Sequence, residues 1–111
     1  MKKIEAVLLA SKEKDIIDAL QRTDIGGLTI TLGKGRGEGA RKIKPGLGRY
    51  IERFNEVLTL VIIVKDSKVD EIVSIILDAT HTGTPGDGKI FISSIDEVVD
   101  VTTKEKGEKY I

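Results

Sequence analysis

One apolar stretch constrains the fold more than any other, and it reads Val57-Leu58-Thr59-Leu60-Val61-Ile62-Ile63-Val64. Every residue except Thr59 is apolar, and most are β-branched. Such a run predicts a strand whose two faces are both buried. A layer of helices buries only one face of a sheet, so the other face of this strand needs a second covering layer. The rest of the 111-residue sequence indicates what that layer is.

The segments after this strand alternate between helical and strand patterns. Residues Ser67–Thr80 repeat apolar side chains at helical spacing, and Ser67 with Asp70 resembles a capping pair. Ile90–Ile95 and Val98–Thr103 each predict a short strand. A helix therefore returns the chain to the sheet, and two short strands follow it.

The segments before the stretch repeat the same order. Ile4–Leu9 predicts a mostly buried strand, Ser11–Arg22 a helix with Ser11 as its N-cap, and Leu28–Leu32 a half-buried strand. Two βαβ units joined by a long loop predict an α+β, ferredoxin-like antiparallel sheet with both helices on one face. The uncovered face then predicts a homo-oligomer.

The long loop, from Gly33 to about Phe54, is rich in glycine and in positive charge. Seven basic and only two acidic residues lie between Lys34 and Arg53, which gives this stretch a net charge of about +5. A loop of about twenty residues in a small domain is usually functional or disordered. Its basic side chains either dock an acidic partner or are simply solvated, and Tyr50 is either a modification site or part of the loop packing.

A glycine-rich turn precedes the strand at Ile90. Gly83-Thr84-Pro85-Gly86-Asp87-Gly88-Lys89 fits the spacing of a P-loop, but Ile90 stands where a Ser or Thr must hold magnesium, and a strand follows where a helix is needed. Glycines still let backbone N–H groups converge on an anion beside Lys89. The turn is either an anion site or an ordinary helix-to-strand connection.

Composition excludes several classes of function. Eighteen basic and eighteen acidic residues cancel, and aromatic residues make up only 4%, which argues against nucleic-acid partners. The absence of cysteine and the single histidine, His81, exclude thiol catalysis and multi-histidine metal sites. No apolar run reaches the ~20 residues of a membrane span, so we expect a cytoplasmic protein with no membrane insertion. No Ser, His and carboxylate trio is apparent, so an enzyme is not expected.

The chain resembles the P-II signalling proteins, the nitrogen regulatory family, over essentially its whole length. The resemblance rests on five segments: Met1-Lys2-Lys3-Ile4, Gly27–Thr31, Gly35-Arg36-Gly37, Leu60–Val64 and, most specifically, the run Thr82–Phe91, which matches T-G-x-x-G-D-G-K-I-F. It implies one domain over residues 1–111, with the family's T-loop at about 36–54, a phosphate-binding turn at 82–89 and a tail at 104–111. It also implies a homotrimer that docks its T-loop on transporters, enzymes or regulators.

The resemblance further implies an adenine nucleotide (ATP, ADP or AMP) bound between subunits as an effector. The residues implied to hold the phosphates are Gly86, Asp87, Gly88 and Lys89, with Gly35, Arg36 and Gly37 approaching from the loop base. The residues implied to line the base and ribose end are Gly27, Leu28, Thr29 and Val64. Tyr50 falls near the family's modifiable tyrosine.

Three departures from the family pattern affect the expected ligands. Glu38-Gly39-Ala40 contains no glutamine to help bind magnesium and 2-oxoglutarate, which leaves magnesium open. Val57 stands where a lysine pairs with a 2-oxoglutarate carboxylate, so we expect weak or absent binding of that acid. Asp100-Val101-Thr102 replaces two arginines that contact phosphates, which favours ADP or AMP over ATP.

Two functions of different kinds follow from this resemblance. The first is a P-II-type regulator of nitrogen metabolism that responds to adenine nucleotide. The alternative is a P-II-like protein outside nitrogen control that senses another small molecule or anion, such as one reporting carbon or bicarbonate status. A third hypothesis is an enzyme that uses Asp87 and Lys89, but nothing else in the sequence supports it.

Overall fold

Four strands form a single antiparallel sheet that two helices cover on one side. This computed structural model describes residues 1–41, 43–44, 50–51 and 53–111, and for 43–44 and 50–51 it describes the backbone. The elements in chain order are β1 (Lys2–Leu9), α1 (Glu13–Leu20), β2 (Leu28–Gly35), β3 (Ile43–Lys44), β4 (Tyr50–Ile51), β5 (Asn55–Val64), α2 (Val69–Thr80) and β6 (Gly88–Ser94). The strand order is β2-β5-β1-β6, while β3 and β4 form a separate two-stranded ladder.

The core lies between the sheet and the two helices. Alternate residues of the central strands β1 and β5 point into it, and the apolar stripes of α1 and α2 close it from above. Its members are Ile4, Ala6, Leu8, Ile16, Leu20, Leu58, Leu60, Ile62, Val64, Ile72 and Ile76. The predicted α+β, ferredoxin-like arrangement with both helices on one face is therefore confirmed.

The apolar sequence of β5 predicts that both faces of the strand are buried. In a single chain, the face away from the helices is only partly buried. Along β5, Leu58 and Leu60 are buried, whereas Val57, Val61 and Ile63 on the other face are only half-buried. Phe91 in β6 shares this open face and is 54% exposed. A single chain thus leaves an apolar surface on one side of the sheet.

Both helices begin later than the sequence predicts. A 3₁₀ turn over Ala10–Lys12 precedes α1 and another over Asp66–Lys68 precedes α2, and neither Ser11 nor Ser67 caps a helix with its side chain. The two predicted caps are therefore wrong. Each serine lies inside the 3₁₀ turn that leads the chain from the strand into the helix.

The predicted strand at Val98–Thr103 is also wrong. This segment forms a tight hairpin with a single bridge between Val99 and Lys106. Asp100 accepts a hydrogen bond from the backbone N–H of Thr103 at 2.9 Å, and Lys104 has a positive φ of 64°. These local turn interactions outweigh the β-branched composition of the segment.

The long loop is shorter than the span from Gly33 to about Phe54 that the sequence predicts. β2 continues to Gly35 and β5 begins at Asn55, so residues 36–54 connect the two strands. Within this span β3 and β4 pair Ile43 with Ile51 and Lys44 with Tyr50. The backbone of Tyr50 therefore belongs to β4. Its side chain lies outside the described residues, as do those of Lys42, Lys44 and Arg49.

Candidate functional site

A cleft of about 310 Å³ lies between the base of the T-loop and the glycine turn, which comprises residues 82–89. It brings together six of the predicted ligand residues, three from the loop base and three from the turn. Its lining is Val7, Leu8, Leu9, Gly35, Arg36, Gly37, Glu38, Gly39, Asn55, Val57, Gly86, Gly88, Lys89 and Phe91. Two segments that are about fifty residues apart in sequence therefore form one concave site.

The glycine turn has a backbone that other residues rarely adopt. Gly86 and Gly88 have φ values of +100° and +124°. A Cβ on Gly88 would also collide with the carbonyl oxygen of Val7 in β1. Gly88 therefore lets the turn lie directly on the edge of the sheet, and Lys89 enters the cleft from the start of β6.

Asp87 is the exception among the predicted phosphate ligands, because its side chain is engaged within the turn. Its carboxylate accepts hydrogen bonds from the backbone N–H groups of Thr82 at 2.8 Å and Gly83 at 3.0 Å, and also from the Thr82 hydroxyl. These bonds lower the pKa of Asp87, and the Thr82 hydroxyl is the main cause of the shift. Asp87 does not line the cleft, and together with His81 it lines a neighbouring groove.

The four residues predicted for the base and ribose end do not line this cleft. Leu28 and Thr29 begin β2 directly after Gly27, and Val64 pairs with Lys2 at the far end of β1. The cleft lies at the opposite end of the sheet, where Leu8 pairs with Gly88. Six residues of strand separate the two ends, a distance of about 20 Å. Within one chain the predicted ligand residues thus form two groups.

The floor of the cleft is apolar. Val57 points into it from β5, and a Cβ on Gly35 would lie 2.9 Å from Cγ1 of Val57. Val7 and Phe91 contribute further apolar surface from β1 and β6. Arg36 and Lys89 supply the positive charges of the lining and Glu38 the negative one. The cleft therefore combines a basic rim with an apolar floor.

Sequence reasoning missed Val7, which strand register brings into the cleft beside the predicted ligand Lys89. Val7 pairs with Lys89 across β1 and β6, and Val57 pairs with Gly33 across β5 and β2, which directs all of these residues to the open face. The alternation within each strand predicts a shared face, but only the register shows which residues are neighbours. Gly39 was also missed, although it contacts the glycine turn.

Asp100, which stands where the resemblance implies phosphate-contacting arginines, is tied into the C-terminal hairpin. Its N–H donates to the carbonyl oxygen of Glu105 at 2.8 Å, and its carboxylate accepts from Thr103. It is not part of the cleft lining. In the described part of the chain, no group of three or more His, Asp or Glu side chains is arranged to hold a metal ion.

The fold defines a small ferredoxin-like α+β protein, and comparison with known proteins narrows this to one family. A family model described as Nitrogen regulatory protein P-II matches residues 1–105. The chain belongs to the nitrogen regulatory protein P-II family. The resemblance predicted from the sequence motifs is thereby confirmed.

Several relatives carry the same name. The chain is 38% identical to Nitrogen regulatory protein P-II of Azospirillum brasilense over 109 residues, which is 96% of each chain. It is 39% identical to the protein of that name from Pyropia yezoensis over 107 residues, or 95% of each chain. It is 37% identical over 112 residues to Nitrogen regulatory protein P-II 2 of Methanothermobacter thermautotrophicus, covering 100% of this chain and 97% of that one.

These names describe regulatory proteins and not enzymes, in agreement with the function class that the sequence predicts. None of the helices in the described ranges is both long and apolar enough to cross a membrane. Because of the family match and the names of its relatives, the chain is a regulatory protein of the P-II family.

Proposed function

We propose that the protein is a homotrimer that binds an adenine nucleotide between its subunits and controls a target in nitrogen metabolism, such as a transporter or enzyme, through its T-loop. The observation that carries this proposal is the cleft shared by the T-loop base and the glycine turn. A ligand held by Gly88 and Lys89 would also contact Gly35, Arg36 and Gly37. Ligand occupancy would therefore act on the loop that docks on the target.

The proposed trimer is supported by two features of a single chain. The open face of the sheet carries Val61, Ile63 and Phe91 without a covering layer of helix. The predicted ligand residues also divide into two groups at opposite ends of the sheet. A site that includes both groups needs the glycine turn of one subunit and the Gly27–Thr29 end of a neighbour, which is the arrangement of a cyclic oligomer.

The charges of the cleft support a nucleotide with few phosphates. Arg36 and Lys89 line the cleft in which a phosphate would bind, while Glu38 offsets part of their charge. Asp100 is an acid and brings no cation to the site, and its carboxylate accepts a hydrogen bond from the backbone N–H of Thr103. We therefore propose that ADP and AMP bind more tightly than ATP, since each added phosphate brings charge that the site does not neutralise.

Calorimetric titration with ATP, ADP, AMP and cyclic nucleotides tests the proposal. We expect saturable binding of ADP or AMP, and about a tenfold loss of affinity in Lys89→Ala from removal of a charged contact. Lys14→Ala is the matched control, because Lys14 is an exposed residue of α1, on the helical side of the sheet, and does not line the cleft. Absence of binding for every adenine nucleotide would contradict the proposal.

Docking on the target is proposed to be electrostatic. The sequence between Lys34 and Arg53 has seven basic and two acidic residues. Attraction between exposed charges weakens as salt shortens the screening length. The dissociation constant for a candidate target should therefore rise with ionic strength, and a constant value would show that the basic residues do not determine docking.

A second candidate function is a sensor of another small molecule or anion outside nitrogen control. The apolar floor at Val57 favours it, because this position offers no cation to a dicarboxylate. One candidate ligand for this site is an anion that reports carbon status, such as bicarbonate. A thermal-shift comparison of nucleotides, 2-oxoglutarate and bicarbonate distinguishes the two functions. ATP hydrolysis by the purified protein would instead support the enzyme hypothesis.

A further inference from the structure

The base of the T-loop touches the glycine turn through two glycine backbones. A Cβ built on Gly39 would lie 2.7 Å from the Cα of Gly86 and 3.2 Å from the carbonyl oxygen of Pro85. A Cβ built on Gly86 would likewise lie 2.7 Å from the Cα of Gly39. Real Cβ atoms do not approach backbone this closely, so the contact exists only while both residues are glycine.

Two hydrogen bonds hold the segment around Gly39 to the other end of the loop. The side chain of Asn55 donates from Nδ2 to the carbonyl oxygen of Ala40 at 3.1 Å. The guanidinium of Arg41 donates to the carbonyl oxygen of Arg53 at 3.2 Å. The outgoing and returning chains are thus joined at the loop base, and we call this segment, residues 36–41 with 53–55, the neck.

Gly39 is therefore the point at which the neck rests on the glycine turn. On one side the turn is fixed to the sheet by Gly88 and internally by Asp87. On the other side the neck is fixed to β5 by Asn55. A displacement of Gly86 is transmitted to Gly39, because two backbones in contact leave no side chain to absorb the movement.

We infer that the backbone contact between Gly39 and Gly86 couples the glycine turn to the neck, so that a change at the turn alters the T-loop. The coupling exists in the ligand-free protein. Its use as a response to nucleotide rests on the proposed function. This identifies Gly39 as a positioning residue, which acts on the loop through Gly86.

The chain offers a matched control for a test of this inference. Gly37 lines the same cleft on the same segment, yet a Cβ built on it meets no atom within 4 Å, and its φ is not in the left-handed region. Gly37→Ala therefore adds the same methyl group without disturbing the contact. Gly39→Ala places that group against the backbone of Gly86.

Hydrogen–deuterium exchange of the ligand-free protein tests the coupling. We expect exchange over residues 36–41 to become about tenfold faster in Gly39→Ala and to be unchanged in Gly37→Ala. Unchanged protection of β1 and β5 in the same spectra shows that the variant is folded. Equal exchange in Gly39→Ala and the native chain, or an equal change in both variants, would overturn the inference.

Loosening the turn gives a second measurement that leaves Gly39 intact. Thr82→Val removes a hydroxyl that bonds to Asp87, whereas Thr84→Val removes one that bonds to no described residue. We expect Thr82→Val, and not Thr84→Val, to speed exchange in the neck, and we expect this effect to vanish in the Gly39→Ala background. An equal effect in both backgrounds would contradict the coupling.

Adding ADP separates this inference from the proposed function. In the native chain and in Gly33→Ala, whose added methyl group meets no atom and lies outside the cleft lining, ADP should protect both residues 82–89 and the neck. In Gly39→Ala it should protect residues 82–89 alone. Protection of the neck in Gly39→Ala would overturn the inference. If calorimetry shows no nucleotide binding to the native chain, the proposed function fails, and the ligand-free comparisons still decide whether the contact couples the two segments.

Discussion

Asp87 bonds to Thr82 through two donors, the backbone N–H at 2.8 Å and the side-chain hydroxyl, and so turns its carboxylate away from the cleft. The acidic residue of the glycine turn therefore does not oppose a bound phosphate directly. Its carboxylate instead holds Thr82, the first residue of the turn, close to Gly86 and Gly88, which line the cleft on either side of Asp87. Asp87 thus fixes the backbone of the turn, whereas Lys89 lines the cleft itself.

The first prediction concerns the removal of this bond. Asp87→Asn loses the negative charge and one acceptor oxygen, so we expect the turn to loosen and nucleotide affinity to fall about threefold to tenfold. If Asp87 instead repelled phosphate, the neutral variant would bind nucleotide more tightly. Calorimetry on Asp87→Asn, with Thr84→Val as a control in the same turn, distinguishes these outcomes.

The second prediction is a pH dependence of stability. Hydrogen bonds, first from the Thr82 hydroxyl and then from the backbone of Thr82 and Gly83, lower the pKa of Asp87 from its ordinary value of 3.8. A lowered folded-state pKa stabilises the protein above the ordinary value and loses that contribution as the pH falls through the folded-state pKa. The native chain should therefore exceed Asp87→Asn in stability at neutral pH.

Urea unfolding of both proteins from about pH 6 down to about pH 2.5 measures this difference. The advantage of the native chain should stay constant down to about pH 4 and then shrink as the carboxylate protonates. Unfolding curves whose separation does not change over this range would show that the Asp87 carboxylate is not held by the turn.

The third prediction concerns Gly88. An alanine there has φ at +124° and a Cβ that meets the carbonyl oxygen of Val7. We expect Gly88→Ala to lower the free energy of unfolding by about 2–4 kcal/mol, through backbone strain and displacement of the turn from β1. Gly33→Ala is the control, because its Cβ meets nothing within 4 Å. Equal unfolding midpoints for the two variants would contradict the tight approach of Gly88 to β1.

Elements that depend on local sequence were predictable, because their signals lie within a few residues. The β-branched run at Val57–Val64 and the helical stripe of α2 were identified within two or three residues of their bounds. The helix starts were misplaced because Ser11 and Ser67 are capable of capping, and nothing in the local pattern distinguishes an α-helical start from a 3₁₀ turn.

Features that depend on contacts between distant segments were only partly predictable. The glycine turn and the loop base were both identified as anion-binding candidates, and the structure brings them into one cleft. The orientation of Asp87 toward Thr82 and the contact of Gly39 with Gly86 were not predictable, because both arise from backbone conformation. The spacing of residue types along the sequence indicates neither the orientation of Asp87 nor the contact between Gly39 and Gly86.

The fourth prediction concerns the proposed trimer. Val61 lies on the open face of β5 and pairs with Glu5 of β1, so Val61→Lys is compatible with the folded chain but places a charge in the proposed interface. Sedimentation should give about three times the chain mass of 12.1 kDa for the native protein and a lower mass for this variant. Leu77→Lys on α2 is the control, because Leu77 is 48% exposed on the helical side. A native monomer would contradict the intersubunit site.

The fifth prediction concerns 2-oxoglutarate. The floor of the cleft at Val57 is apolar where the family resemblance implies a lysine, and Gly39 stands in the stretch where it implies a glutamine. A carboxylate left without a cation in a desolvated site loses about 2–5 kcal/mol of binding free energy. Calorimetry with magnesium and ATP present should therefore show no micromolar binding of 2-oxoglutarate to the native chain.

Val57→Lys provides the complementary measurement. Val57 lines the cleft and is half-buried, so a lysine there reaches the cleft with its stem along the apolar floor. We expect this variant to gain affinity for 2-oxoglutarate, while Leu77→Lys, on the helical side and outside the cleft lining, gains none. Micromolar binding to the native chain would show that other groups neutralise the dicarboxylate, and the departure at Val57 would then carry no specificity.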